Sequence, residues 1–220
     1  MFLTLLKKEL TIELRTKEVS ISMLAFALAV ILTFSLAFNV SPTLFREFAP
    51  GLFWILILFI AVLGLHRMFA IEREFDAFTM IIAAPVDRGL IFLAKWLSGF
   101  LFLCLTEIVI LPPFLLFLDV TLPPHLMTGA GLVLLGNLGI MVVGSLVSGL
   151  AMRAKMSEVL LPILLFPLVS PVVIAAVKAT TGWMQQKPFP TWQIWVLILA
   201  TFIVIFSLIG YTIFDHITEE

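Results

Sequence analysis

The chain has 220 residues, of which 62% are hydrophobic and 12% charged, with 21 Phe and a mean hydropathy of +1.19. Such a composition excludes an ordinary soluble domain and points to a polytopic membrane protein. The formal net charge of -1 implies no nucleic-acid partner. The single Cys104 has no partner in the chain, which excludes an internal disulfide and any cysteine-based metal site.

In chain order, residues 1 to 18 form the first expected element. Leu3, Leu6, Leu10 and Leu14 recur at helical spacing, while Lys7, Lys8, Thr11, Arg15 and Lys17 take another face. This pattern predicts an amphipathic helix lying in the headgroup plane, the alternative being a solvated leader. Both signs of charge precede the first apolar run, with no A-x-A-like site, so the first span is expected to direct insertion uncleaved.

Six continuous apolar runs follow, at about 19 to 38, 50 to 70, 91 to 118, 126 to 151, 159 to 179 and 192 to 214. A bilayer core about 30 Å thick needs roughly 20 apolar residues per helix. The runs lack the alternating polarity of barrel strands, so the expected fold is an all-α bundle of six transmembrane helices, residues 1 to 220 forming one permease domain. If the amino terminus lies inside, ten of the thirteen Lys and Arg fall on the inner side, leaving Arg46, Lys178 and Lys187 outside. The bias predicts that both termini are cytoplasmic.

The outer connections are short. NVSPTLFREFAP reads as a turn, with Pro50-Gly51 opening the second span; the next surrounds Asp119 and Pro123-Pro124. The third, about 179 to 191, holds Gly182, Pro188 and Pro190, with Trp183, Trp192 and Trp195 suited to an aromatic belt.

Between the second and third spans lies HRMFAIEREFDAFTMIIAAPVDRGLIFLAK, residues 66 to 95. Ile71, Phe75, Phe78 and Ile82 make one helical stripe, with Glu72, Arg73, Glu74 and Asp76 off it; Pro85 ends the helix and Asp87-Arg88-Gly89 turns the chain back. This is either a connecting loop on the headgroups or a docking element for a partner on the inner side.

Within the membrane, Glu107 lies about 24 Å along the third run from Ile91, near mid-bilayer. An acidic side chain there costs about 3 kcal/mol on insertion scales, so it is expected to face protein or water, either bonded to a neighbouring helix or serving substrate passage. Asn137 is the corresponding intramembrane polar residue of the fourth run. That run also carries Gly144-x-x-x-Ser148 and Ser145-x-x-x-Gly149, spacings that allow close helix approach within a bundle or at a dimer seam. Pro112 and Pro113 in the third run, and Pro162, Pro167 and Pro171 in the fifth, each remove a backbone donor.

No G-x-x-x-x-G-K-[ST] phosphate loop is present, so any ATP-driven work needs a second polypeptide. His66, His125 and His216 lack metal-ligand spacing, and no catalytic constellation is visible, so the expected role is non-catalytic, with no metal and no directly bound cofactor.

Six spans, inner termini, an N-terminal interfacial helix and a short acidic helix between the second and third spans resemble the layout of a type 2 ABC exporter subunit. APGLFWILILFIAVLGLHRMFAIEREFDAF, APVDRGLIFLAKWLSG and LPILLFPLVSPVVIAA resemble the CcmB family of haem exporter permeases over nearly the whole chain. Asp76 departs from the pattern, since such exporters often have Gly after the acidic pair. The resemblance implies a permease of the bacterial inner membrane, a homodimer paired with a CcmA-like ATPase and associated with CcmC, CcmD and CcmE-like proteins. In such a system the partner binds and hydrolyses ATP, driving haem export or release of haem-loaded CcmE chaperone. Residues 72 to 85 would be the coupling helix in the ATPase cleft, with Ile71, Phe75, Phe78 and Ile82 supplying apolar contact and Glu72, Arg73, Glu74 and Asp76 orientation, up to Pro85. The tryptophan-rich haem motif expected of CcmC is absent, so haem is implied as substrate rather than as a bound cofactor. A general exporter of lipid, polysaccharide or drug, and a scaffold that translocates nothing, are the alternative readings.

Overall fold

The structure, a computed structural model, describes residues 1–37, 42–74, 87–151 and 157–217, with backbone alone for helix residues 42–46, 71–74, 157–161 and 215–217. Among the described residues the regular structure is seven α-helices and one 3-10 turn. They are α1 (Phe2–Thr16), α2 (Glu18–Ala37), α3 (Pro42–Glu74), α4 (Arg88–Phe117), α5 (Leu126–Ala151), α6 (Ser157–Met184), the 3-10 turn Phe189–Thr191, and α7 (Gln193–Ile217). Helices α2 to α7 are each long and apolar enough to cross a membrane. A helix pairs its own backbone groups, as hydrocarbon requires, except where Pro50 in α3, Pro112 and Pro113 in α4, and Pro162, Pro167 and Pro171 in α6 withhold a donor.

Three boundaries differ from the sequence expectation. NVSPTLFREFAP is not a turn throughout: α3 starts at Pro42 and Pro50 lies inside it. Proline suits the first helical position, where its missing N–H has no intrahelical acceptor, and the following Leu, Phe, Arg and Glu are compatible with helix. Arg88 and Gly89 are the first residues of α4 rather than a turn, because the Asp87 carboxylate accepts from Gly89 N at 2.9 Å and caps the helix. Helix α6 continues to Met184, so Gly182 and Trp183 are helical and the connection begins at Gln185.

Helix α5 is the centre of the bundle, packed against α3, α4, α6 and α7. Its glycines explain how: Gly136 sits under the indole of Trp54, Gly139 against Val172, Gly144 against Leu65 and Gly149 against Phe214. The small residues thus bring α5 close to α3, α6 and α7 within one chain, which is the bundle-packing reading of this helix. In hydrocarbon such close packing, rather than exclusion of water, holds helices together. At the far end of the bundle, Trp54 is fully buried and its Nε1 donates to Thr180 Oγ1 of α6 at 2.9 Å. Trp192, expected in an aromatic belt, is instead buried over Gly182, with its Nε1 donating to Lys187 O at 3.1 Å.

The amphipathic helix α1 packs on α4. Lys17, left-handed at φ 56°, makes the elbow into α2. The Glu13 carboxylate is buried in that elbow and accepts from Val19 N, Ser20 N and Ser20 Oγ, so one side chain of α1 caps the start of α2. Leu3 and Leu14 point away from the bundle, exposed to the surroundings of the helix.

Candidate functional site

Glu107 of α4 and Asn137 of α5 meet inside the bundle, at 6% and 0% exposure. Asn137 Nδ2 donates a short hydrogen bond to Glu107 Oε2 and lies 3.7 Å from Cys104 Sγ. The amide nitrogen is assigned to the side facing the carboxyl group, where it donates to Oε2. At this pair two buried acceptors have no partner among the described residues, Glu107 Oε1 and Asn137 Oδ1. Each is a departure from the usual pairing of buried polar atoms, and a carboxylate oxygen is among the more costly to leave unmet.

Glu107 lies about 28 Å into a helix about 45 Å long, past its midpoint from Arg88. From there a cavity of about 420 Å³ extends toward the far end of the bundle, lined by Glu107 and Cys104 and then by apolar groups including Phe53, Val133 and Trp183. Pro50 belongs to the same lining, which places the internal proline of α3 at the cavity wall. Trp183 Nε1 donates to His125 O at 3.0 Å, fixing the indole against the connection between α4 and α5. The arrangement can hold a largely apolar molecule above one hydrogen-bonding group, the usual division of labour in a small-molecule pocket.

A second polar constellation lies at the near end, the end bearing α1. Lys95 is 1% exposed, with its ammonium 3.0 Å from Glu9 Oε2 of α1 and 5.3 Å from the centroid of the Phe69 ring of α3. Lys95 therefore ties α1, α3 and α4 together. A few residues earlier in the chain, Asp87 caps α4 with Oδ1 while its Oδ2 accepts from the hydroxyl of Tyr211 of α7, at 2.8 Å. The Tyr211 ring occupies the space a side chain at residue 89 would need, which accounts for Gly89. The residue that closes the stretch between the second and third spans is thereby bonded to the last helix.

Of the sequence-predicted site residues, Glu107 and Asn137 are brought into contact. Ile71, Glu72, Arg73 and Glu74 are helical in backbone and continuous with α3, beyond its membrane-length segment Glu47–Ala70. Phe75, Asp76, Phe78, Ile82 and Pro85 lie outside the described residues. Sequence reasoning did not single out Glu9, Glu13, the Trp54 and Thr180 pair, or Tyr211. Lys95, one of the charges assigned to the inner side, is buried within α4. Glu9 and Glu13 carried a usable signal: they recur at i and i+4 on a helix whose apolar residues lie to one side.

Residues 1–216 match the family described as CcmB protein. Three relatives are each named heme exporter protein B. That of Pseudomonas aeruginosa is 28% identical over 202 residues, covering 90% of this chain and 89% of the relative. That of Haemophilus influenzae is 29% identical over 177 residues, covering 80% and 79%, and that of Rhodobacter capsulatus is 27% identical over 151 residues, covering 69% of each. With all but the last four of its 220 residues matched, the chain belongs to the CcmB protein family.

Proposed function

We propose that this chain is the membrane permease subunit of an ABC-type haem export system serving cytochrome c maturation, worked by ATP hydrolysis in a separate, CcmA-like subunit. The observation that carries this reading is the family match along residues 1–216, together with three relatives named heme exporter protein B. Six bilayer-length helices support a membrane-embedded role, and the absence of a phosphate loop from the sequence assigns ATP binding to a partner. On the charge bias, both termini and residues 66 to 95 face the cytoplasm of a bacterial inner membrane.

Residues 72 to 85 then form the coupling element for the ATPase. Ile71, Phe75, Phe78 and Ile82 supply contact, the charges of Glu72, Arg73, Glu74 and Asp76 supply orientation, and Pro85 ends the element. Movement there reaches the bundle by two routes: backward along α3, which is continuous to Glu74, and forward through Asp87 to Tyr211 on α7. Two copies of the permease with two of the ATPase, together with CcmC, CcmD and CcmE-like proteins, complete the assembly, in which haem is cargo and this subunit holds no cofactor of its own.

The test is isolation of the tagged chain from detergent-solubilised membranes. A cytoplasmic ATPase and a haem-carrying protein recovered together support the reading; an ATPase accompanied only by lipid, polysaccharide or drug export components overturns it in favour of a general exporter. A hydrolysis-deficient ATPase separates a scaffold from a transporter, because a scaffold still sustains cytochrome c production.

A further inference from the structure

The cavity above Glu107 has features that packing alone does not explain. It offers about 420 Å³ between α3, α4, α5 and α6, partly open to the outside of the bundle past Ile108, Leu126 and Leu134, and within the range of about 300 to 1,000 Å³ that holds small ligands. Its walls are mostly Phe, Leu, Val, Ile and Trp side chains, with Cys104 and Thr180 among them, and Glu107 is the only acidic or basic residue in the lining among the described residues. Such a space forfeits dispersion contacts unless a molecule occupies it. A carboxyl group left only half paired at its edge is a further cost. Glu107 is 6% exposed; Asn137 occupies Oε2, and Oε1 has no partner among the described residues. Oε1 is itself buried at the edge of this space, and the torsion that carries the two oxygens is broad and two-fold, so rotation about it is the movement that would present Oε1 to a ligand.

We propose that this cavity is a binding site for a small, largely apolar molecule that carries one hydrogen-bond donor, an alcohol or a primary amine, and that Glu107 accepts that donor. The shape assigns the parts. The apolar body lies among Phe53, Val133 and Trp183, and the donor end points inward to α4. A phospholipid entering tail first would place a methyl group against the carboxyl and leave Oε1 unmet, so the site discriminates for the donor rather than for the chain. The site is independent of what the assembled complex exports.

The experiment uses the full chain, purified in nanodiscs, and saturable binding of tritiated 1-dodecanol by scintillation proximity. Dodecylamine and unlabelled dodecanol compete, and methyl dodecyl ether, which keeps the chain and lacks the donor, competes at least about tenfold less well. Glu107→Met abolishes that preference for the alcohol over the ether. Val133→Trp, which leaves the carboxyl intact and fills the cavity, removes binding of both. Alcohol and ether binding equally well to the unaltered protein would identify an unselective acyl-chain groove and overturn the proposal. So would a preference that survives Glu107→Met, binding that survives Val133→Trp, or no saturable dodecanol binding at all. Thermal unfolding of both variants alongside the parent separates loss of the site from loss of the fold.

Discussion

The ammonium of Lys95 in α4 lies 3.0 Å from the carboxylate of Glu9 in α1, and both side chains are nearly removed from solvent, at 2% and 10% exposure. An amphipathic surface helix is therefore fastened to the bundle by charge, on the face turned away from exposed Leu3 and Leu14. Removing the Glu9 carboxylate takes an ion-pair partner from a buried ammonium. Glu9→Ala is expected to destabilise the protein by about 3 kcal/mol. Replacing both residues, as Glu9→Gln with Lys95→Met, restores most of that loss, because no buried charge is left uncompensated. Thermal unfolding in detergent measures both; a double variant as damaged as the single one would show that the ion pair is not the cause.

Glu13 does its work on the neighbouring helix. Its carboxylate accepts from Val19 N, Ser20 N and Ser20 Oγ, so Glu13→Ala strips a cap from α2 and leaves donors in a buried elbow. The expected loss is about 2 kcal/mol. Hydrogen exchange localises it: amides at Val19 and Ser20 exchange faster in the variant, while those of α5 do not change.

The contact of Gly136 with Trp54 fixes the approach of α5 to α3. A methyl group at residue 136 would meet the indole ring, so Gly136→Ala is expected to cost about 2 kcal/mol. Trp54→Phe shrinks the ring and gives up the hydrogen bond to Thr180. In that background the penalty of Gly136→Ala falls, and a double-mutant cycle on unfolding temperatures reads the coupling directly. Strict additivity would rule out this contact as the origin.

Phe75 and Phe78 stand on the sequence stripe proposed to dock the ATPase. Truncating each to Ala is expected to weaken the association by about 2 kcal/mol if both are anchors. Co-purification of the ATPase then drops steeply while the permease remains membrane-inserted. Undiminished recovery of the ATPase with the double variant would remove these residues from the interface.

Much of the fold was legible from hydropathy alone, because a helix must carry about 20 apolar residues to satisfy its backbone across hydrocarbon, and such runs are hard to miss. Helix ends were less legible. Pro42 and Pro50 are both permitted by local chemistry as starts of α3, and only the packed structure shows which one opens it. The same holds at Asp87, whose side chain reads as a turn signal and acts as a cap. The candidate site divides in the same way: Glu107 and Asn137 stood out singly because polar groups are rare in such runs, but their pairing across 30 residues is not written in either run.

By itself, then, the sequence determined the class of molecule, the six spans, the amphipathic start and the lack of a phosphate loop. Each follows from composition, run length or a missing motif, quantities that need no knowledge of neighbours. The tertiary structure decided which polar residues meet and where space is left. Lipid and protein interior are equally apolar, so hydropathy gives a membrane helix its length but not the side it turns to its neighbours. Only the packing of α4 against α1 gives Lys95 its carboxylate, and only the packing of α4 against α5 sets Glu107 beside an amide at the edge of an apolar cavity.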